Sequence, residues 1–307
     1  MKAGVGGTEA RGMSWTCGAA SDTGRLRDRN EDRYWVDTER GIYLVVDGVG
    51  GQAAGEVAAQ TAVEVIRESL GGDGDDETRV RRSIALANQR IWELAHQRPA
   101  LSGMACVLTL ALVNDGRVTI GHVGDSRLYL IWRGAIRKLT RDHSPVGEGE
   151  DAGELSEAEA MRHPRRHEVY REVGNGPRDA EDRDFIEISQ CRLRPDAAVL
   201  LCSDGLTDHL TGEQVREIAE RYNGDAEAVA CELVDAANRA GGRDNITALF
   251  VAGPEFRCVG GVTRPRLSTT RIRTRARFLS GRMAFLTYGL LLGMLLWAAL
   301  RTRGIMP

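Results

Sequence analysis

The fold the sequence predicts for residues 14–253 is an α+β domain, a four-layer α-β-β-α sandwich of two antiparallel sheets flanked by helices. Three observations point to it. Short apolar runs rich in Val, Leu and Ile alternate with longer stretches of helical periodicity. Two of the apolar runs are joined by Asn114-Asp115-Gly116, a hairpin signal that requires antiparallel pairing. The helix-like stretches come in pairs set between the strands, so each sheet has helices to cover one face.

Taken in order, residues 1–13 are Gly-rich and read as a flexible tail. Strands are expected at Ile42–Asp47, Ala105–Val113, Val118–His122, Arg127–Arg133, Phe185–Ser189, Ala197–Cys202 and Ile246–Ala252. Helices are expected at Gly55–Leu70, Thr78–Gln97, Gly212–Arg221 and Ala226–Ala240. Val57, Thr61, Val65 and Leu70 recur near helical spacing, as do Ile84, Ile91 and Leu94. Thr211 stands where an N-cap belongs. Between Asp142 and Asp184 the chain is least regular and holds His143, His163 and His167. Such a stretch reads either as a functional loop or as a solvated excursion.

The C-terminal part has a different character. Residues 254–282 form an Arg-rich juxtamembrane linker, with seven arginines between Arg264 and Arg282. Met283–Leu300 carries no charge and approaches the ~20 apolar residues a membrane-spanning helix needs. Residues 301–307 are a short tail with Arg301 and Arg303. By the excess of arginine before the apolar run, the preceding domain is expected on the cytoplasmic side of the membrane, as part of a single-pass protein.

Composition bounds the function. The formal charge of −3 and 28% charged residues are not those of a polycation, so no nucleic-acid partner is expected. With the arginines gathered at the C-terminus, the body is acidic, which suits cation binding as well as plain solubility. The six cysteines form no C-x-x-C pair, which argues against a zinc site or a disulfide framework. No apolar run follows Met1, so no secretory signal is read.

The chemistry is expected where apolar runs meet acids. Ile42–Val46 meets Asp47-Gly48, Ala197–Cys202 meets Ser203-Asp204-Gly205, and Ile120–Gly124 meets Asp125. Asp244 precedes Asn245 and the last apolar run. Any one Asp-Gly reads as a turn. Four acids at strand tips can converge, and converging carboxylates repel unless cations or shared protons lie among them. Magnesium and manganese prefer such oxygen ligands. Two ions ~3.5–4 Å apart can activate a bridging water for attack on a phosphoester. Upstream, Asn30-Glu31-Asp32 could hold metal waters, and a nearby arginine could grip phosphate oxygens. Ser126 lacks the G-x-S-x-G surroundings of a nucleophile.

Assembled, these residues resemble the metal-dependent Ser/Thr protein phosphatases of the PPM family, also called type 2C, in its bacterial branch. The resemblance covers about residues 14–252. It rests on Arg27-x-x-Asn30-Glu31-Asp32, Val46-Asp47-Gly48-Val49-Gly50-Gly51, Gly124-Asp125-Ser126-Arg127, Leu139-Thr140-Arg141-Asp142-His143-Ser144, Ser203-Asp204-Gly205-Leu206 and Asp244-Asn245, in that order.

The likeness implies roles. Asp47 would bridge two Mn²⁺ or Mg²⁺ ions, and the Gly48 carbonyl would bind one of them. Asp204 and Asp244 would complete the second site, and Asp125 with Asp204 would hold a third, more labile ion. Glu31 and Asp32 would hold metal-bound waters, and Arg27 would bind the substrate phosphate. Residues 144–171 match the family's flap. Val49 stands where some members carry a histidine proposed as general acid, and His143 is expected as a structural hydrogen-bonding residue. The implied activity is hydrolysis of phosphoserine and phosphothreonine on proteins, opposing a Ser/Thr kinase at a bacterial inner (cytoplasmic) membrane. Two other classes fit the same residues: a non-catalytic membrane sensor or scaffold, and a hydrolase of small phosphate esters or nucleotides.

Overall fold

Ten strands in two five-stranded antiparallel sheets, covered on their outer faces by helices, make up the computed structural model, which describes residues 15–50 and 54–258. The strands are β1 (Thr16–Asp22), β2 (Arg33–Asp37), β3 (Ile42–Val49), β4 (Ala105–Asn114), β5 (Arg117–Val123), β6 (Arg127–Trp132), β7 (Ala135–Lys138), β8 (Glu187–Arg192), β9 (Ala198–Cys202) and β10 (Ile246–Ala252). The helices are α1 (Ala54–Ser69), α2 (Asp76–Gln97), α3 (Pro145–Asp151), α4 (Glu157–Ala160), α5 (Asp204–Thr207), α6 (Gly212–Ala219) and α7 (Ala226–Ala240). One sheet runs β1-β10-β9-β6-β7 and the other β2-β3-β4-β5-β8.

Three apolar clusters build the layers. Tyr43, Val45, Ala111, Val199, Leu201, Leu249 and Val251 fill the space between the sheets. Ile42, Leu44, Val46, Leu108 and Leu110 face the other way, onto Ala58, Ile66, Ile84 and Ile91 of α1 and α2. Leu200, Ala248 and Phe250 face Val229, Leu233 and Ala237 of α7. Each fully buried side chain of this size contributes about 1.5–3 kcal/mol. Because both faces of the central strands are covered, their sequences are continuous apolar runs rather than alternating ones.

The hairpin between β4 and β5 forms as expected. Asp115 at φ 48° and Gly116 at φ 71° make the doubly left-handed turn that matches strand twist. A second turn of this kind joins β6 to β7 through Arg133 at φ 51° and Gly134 at φ 76°. The expected strand at Phe185–Ser189 is displaced to Glu187–Arg192. Phe185 and Ile186 are buried in the core beside α1 and α2, but they precede the ladder with β5. Edge strands β1, β2 and β7 had no place among the expected elements, nor had α3, α4 and α5.

The tail at residues 1–13, the spanning segment 283–300, the final tail 301–307 and the linker beyond residue 258 lie outside the described residues. Among the described residues, no helix is long and apolar enough to cross a membrane.

Candidate metal centre

Antiparallel register brings the acids together. β3 ends where β4 begins, with Val49 opposite Ala105. β2 begins at that same end, with Arg33 opposite Val46. In the other sheet, β9 ends and β6 begins together, with Cys202 opposite Arg127, and Ala248 of β10 lies opposite Cys202. One end of the sandwich therefore collects Asp32 before β2, Asp47 near the end of β3, Asp125 between β5 and β6, Asp204 after β9 and Asp244 before β10.

Their mutual influence places them in one cluster. The Asp47 carboxyl is pushed well above the usual carboxylate range, first by burial and then by Asp32, Asp204, Asp125 and Asp244. Burial, then Asp204, pushes Asp125 well above that range too, and Asp244 is raised in the same order of causes. Asp32 is pushed up to about 7 by burial, against the pull of two hydroxyl donors. These donors are the Ser203 and Thr247 hydroxyls, each 2.7 Å from Asp32 Oδ2. Asp32 Oδ1 and Asp204 Oδ1 are both buried without a donor among the described residues. A polar atom buried without a partner costs roughly 1–3 kcal/mol, and a charged one more. An all-oxygen cluster with unsatisfied carboxylate lone pairs fits hard divalent cations such as Mn²⁺ and Mg²⁺.

Close backbone approach shapes the floor. A Cβ on Gly48 would sit 2.3 Å from the Gly55 carbonyl oxygen, so α1 can start against β3 only because residue 48 is Gly. A Cβ on Gly55 would in turn meet Gly48 O at 2.7 Å and Glu31 Oε2 at 2.8 Å. Glu31 thus lies beside Gly48 at the start of α1, and burial raises its carboxyl.

Arg27 lies at the rim with its side chain 52% exposed, and Nη2 donates to Asp244 Oδ2 at 2.8 Å. Arg27, expected to bind the substrate phosphate, thus lies beside the acids with a carboxylate as its partner. The other oxygen of Asp244 accepts from the Asn245 N–H at 2.8 Å.

Several contributors had no role assigned to them in the sequence. Asn245 accepts from the Glu31 N–H at 2.7 Å and donates to the carbonyls of Thr23 and Arg29 at 2.9 and 2.8 Å, pinning the loop that carries Arg27. Ser203 and Thr247, which hold Asp32, sit beside the expected ligands Asp204 and Asp244, and only that proximity could have flagged them. His167 approaches from the 144–171 segment, its Nδ1 3.7 Å from Asp204 Oδ2 and 3.8 Å from Asp208 Oδ2. The three could share an ion.

His143 serves the structural role expected of it. Its N–H donates to the Gly124 carbonyl at 2.7 Å and its Nδ1 accepts from the Gly124 N–H at 3.0 Å, which fixes the turn into Asp125. Beside it, His122 is buried and pushed down to about 4, first by burial and then by His143. It therefore stays neutral, with Nε2 donating to the Arg141 carbonyl at 3.0 Å and Nδ1 accepting from the Thr109 hydroxyl at 2.9 Å.

Comparison with known proteins agrees with this geometry. The protein phosphatase 2C family matches residues 25–236. The serine/threonine phosphatase stp of Listeria monocytogenes is 35% identical over 240 residues, which is 75% of this chain and 93% of that protein. The crystal structure of the Mycobacterium tuberculosis serine/threonine phosphatase PstP/Ppp superposes with a TM-score of 0.70 at 30% identity, covering 78% of this chain and 98% of that one. The PstP catalytic domain in complex with two manganese ions superposes with a TM-score of 0.68 at 28% identity, covering 78% and 97%.

Proposed function

This chain belongs to the protein phosphatase 2C family, and from that premise we propose that it removes phosphate from phosphoserine and phosphothreonine on proteins with the help of bound manganese or magnesium. The observation that carries the reading is the convergence of five aspartates at one end of the sandwich, two of them with buried oxygens that no group among the described residues satisfies.

In this reading Asp47, Asp204 and Asp244, with the Gly48 carbonyl, would hold two divalent cations, and Asp125 with Asp204 would hold a third. When bound, such ions supply an activated water and positive charge against that developing on the phosphate oxygens. The chain's own residues do the rest. Arg27 spends one N–H on Asp244 and keeps the remainder of its guanidinium for phosphate oxygens, which it orients for in-line attack. Its exposure at the rim leaves it reachable by a protein-borne phosphate. Asp32 is locked by Ser203 and Thr247, so its free Oδ1 points at a fixed place and can accept from a water there. Glu31, beside Gly48 at the start of α1, offers a further carboxylate to accept from a water. Val49 has no proton to give, so the leaving alkoxide takes one from water or from another group.

The rival reading as a hydrolase of nucleotides or small phosphate esters is separated by substrate. The full-length protein with Mn²⁺ is expected to hydrolyse a phosphothreonine peptide with kcat/KM well above that for ATP, measured by phosphate release. A preference for ATP would select the rival, and persistent inactivity on peptides with every divalent metal would select a scaffold.

The same proposal extends to place. The uncharged run Met283–Leu300, preceded by the arginines of the linker, supports a single-pass anchor with the catalytic domain cytoplasmic. An anchored phosphatase would oppose a Ser/Thr kinase at the same membrane. The full-length protein should pellet with membranes, and deletion of Met283–Leu300 should release it. Release of the intact protein by a salt wash would contradict the anchor.

A further inference from the structure

Ser21 of β1 stands directly opposite Thr247 of β10 in the antiparallel ladder. Their hydroxyls lie 2.8 Å apart and belong to a closed circuit of hydrogen bonds that begins and ends on Asp32. The Asp32 N–H donates to Asn30 Oδ1 at 3.1 Å, and Asn30 Nδ2 donates to Ser21 Oγ at 2.8 Å. Ser21 joins Thr247, and the Thr247 hydroxyl donates to Asp32 Oδ2 at 2.7 Å.

The chemistry of the donors sets the direction of the circuit. A backbone N–H can only donate, so the Asn30 amide turns its oxygen to Asp32 and its nitrogen to Ser21. A hydroxyl has one proton to give. Thr247 commits its own to Asp32, so the bond between Ser21 and Thr247 is made with the Ser21 proton. Every bond then runs the same way round, and each polarises the next. Ser203 braces the circuit from the other side. Its Oγ accepts from the Thr247 N–H at 3.0 Å and donates to the same Asp32 Oδ2 at 2.7 Å.

An aspartate carboxylate turns about a broad terminal torsion. Two hydroxyl donors on Oδ2 settle that torsion, and Oδ1 is left buried without a donor among the described residues. Asp32, Ser203 and Thr247 are all buried, so water does not compete for these bonds. Ser21 is exposed and Asn30 half-buried, so water would serve both. Their bonds are not needed to satisfy a buried group, and what they add is a fixed direction for the Thr247 proton.

We propose that Thr247 and Ser21 are positioning residues of the metal centre, acting through Asp32 by fixing which of its oxygens is free to accept. The role rests on the phosphatase reading, in which Asp32 holds a metal-bound water.

The test uses the full-length protein and three variants. Thr247→Val keeps the branched shape on β10 and removes the proton, Thr247→Ser keeps the hydroxyl, and Ser21→Ala breaks the circuit at a residue that does not touch Asp32. Mn²⁺ affinity is read by titration calorimetry, and kcat and KM on a phosphothreonine peptide at saturating Mn²⁺. Thr247→Val should lower kcat about 10- to 100-fold and weaken Mn²⁺ binding about 10-fold, with KM for the peptide within about 2-fold of the parent. Thr247→Ser should return both to within about 3-fold of the parent, and Ser21→Ala should move both in the same direction as Thr247→Val by about 3-fold or more. A Thr247→Val protein with the parent's kcat and Mn²⁺ affinity would overturn the proposal. So would a Thr247→Ser protein as impaired as Thr247→Val, since the methyl group and not the hydroxyl would then matter. If Thr247→Val does not fold, the exposed Ser21→Ala carries the test, and its matching the parent in both readouts would overturn the circuit. Calorimetry needs no turnover. Mn²⁺ binding that weakens in Thr247→Val and returns in Thr247→Ser, in a protein that hydrolyses no peptide, would support the circuit and count against the phosphatase reading alone.

Discussion

Asp47→Asn should lower kcat/KM on a phosphothreonine peptide by roughly 10³-fold or more, a loss of about 4 kcal/mol of transition-state stabilisation. Asp204→Asn should do the same. The substitution keeps the shape of the side chain and removes one charge, so it isolates the electrostatic part of the site. Its effect on stability should run the other way. The Asp47 carboxyl is disfavoured in its charged form by burial and by four neighbouring acids, and a neutral amide relieves that repulsion. With no metal added, Asp47→Asn should therefore melt at or above the temperature of the parent. With Mn²⁺ added, the parent should gain stability by mass action and the variant should gain less. Calorimetry with and without Mn²⁺, beside the turnover assay, reads both halves. A variant that kept full activity, or one that lost activity by unfolding, would remove Asp47 from the metal centre.

The largest stability effect is expected at Arg127, a second arginine of the family motifs whose situation is opposite to that of Arg27. Its side chain is 10% exposed and grips Asp142 through Nε at 2.9 Å and Nη2 at 2.6 Å. It reaches Glu150 of α3 at 2.8 Å and the Tyr129 hydroxyl at 3.1 Å. The pairing ties the 142–151 stretch to the start of β6, just after Asp125. Arg127→Met leaves Asp142, itself 4% exposed, with Lys138 at 3.5 Å as its remaining cation. Removing one partner of a buried ion pair costs about 3–5 kcal/mol. At about 2–4 °C per kcal/mol for a domain of this size, the melting temperature should fall by about 10 °C. Arg27→Met, at the exposed rim, should move stability by less than about 0.5 kcal/mol. A loss below about 1 kcal/mol at Arg127 would show that the network is solvated rather than structural.

Legibility in the sequence followed burial. β3, β4, β5, β9 and β10 are covered on both faces, so Ile42–Val46 or Val107–Val113 stands out as an unbroken apolar run, and its bounds can be read to within two residues. Edge strands β1 and β2 are half-buried and mixed in character, as in Arg33-Tyr34-Trp35-Val36-Asp37, and β1 in addition pairs with β10, at the far end of the domain sequence. The same split governs the site. Asp47, Asp125, Asp204 and Asp244 were visible because each interrupts or borders an apolar run. The roles of Ser203 and Thr247 were not, because their task depends on Asp32, which lies 171 and 215 residues away in sequence. His167 escaped for a similar reason: it sits in the irregular 142–184 stretch, and its proximity to Asp204 comes from tertiary structure alone.

The most direct test of the account is phosphate release from a phosphothreonine peptide by the chelator-stripped, full-length protein as Mn²⁺ is added back. The account predicts no turnover in the stripped protein and full recovery as Mn²⁺ rises, with recovery lost in Asp204→Asn. Turnover that survives chelation, or that Mn²⁺ restores equally in Asp204→Asn, would contradict it.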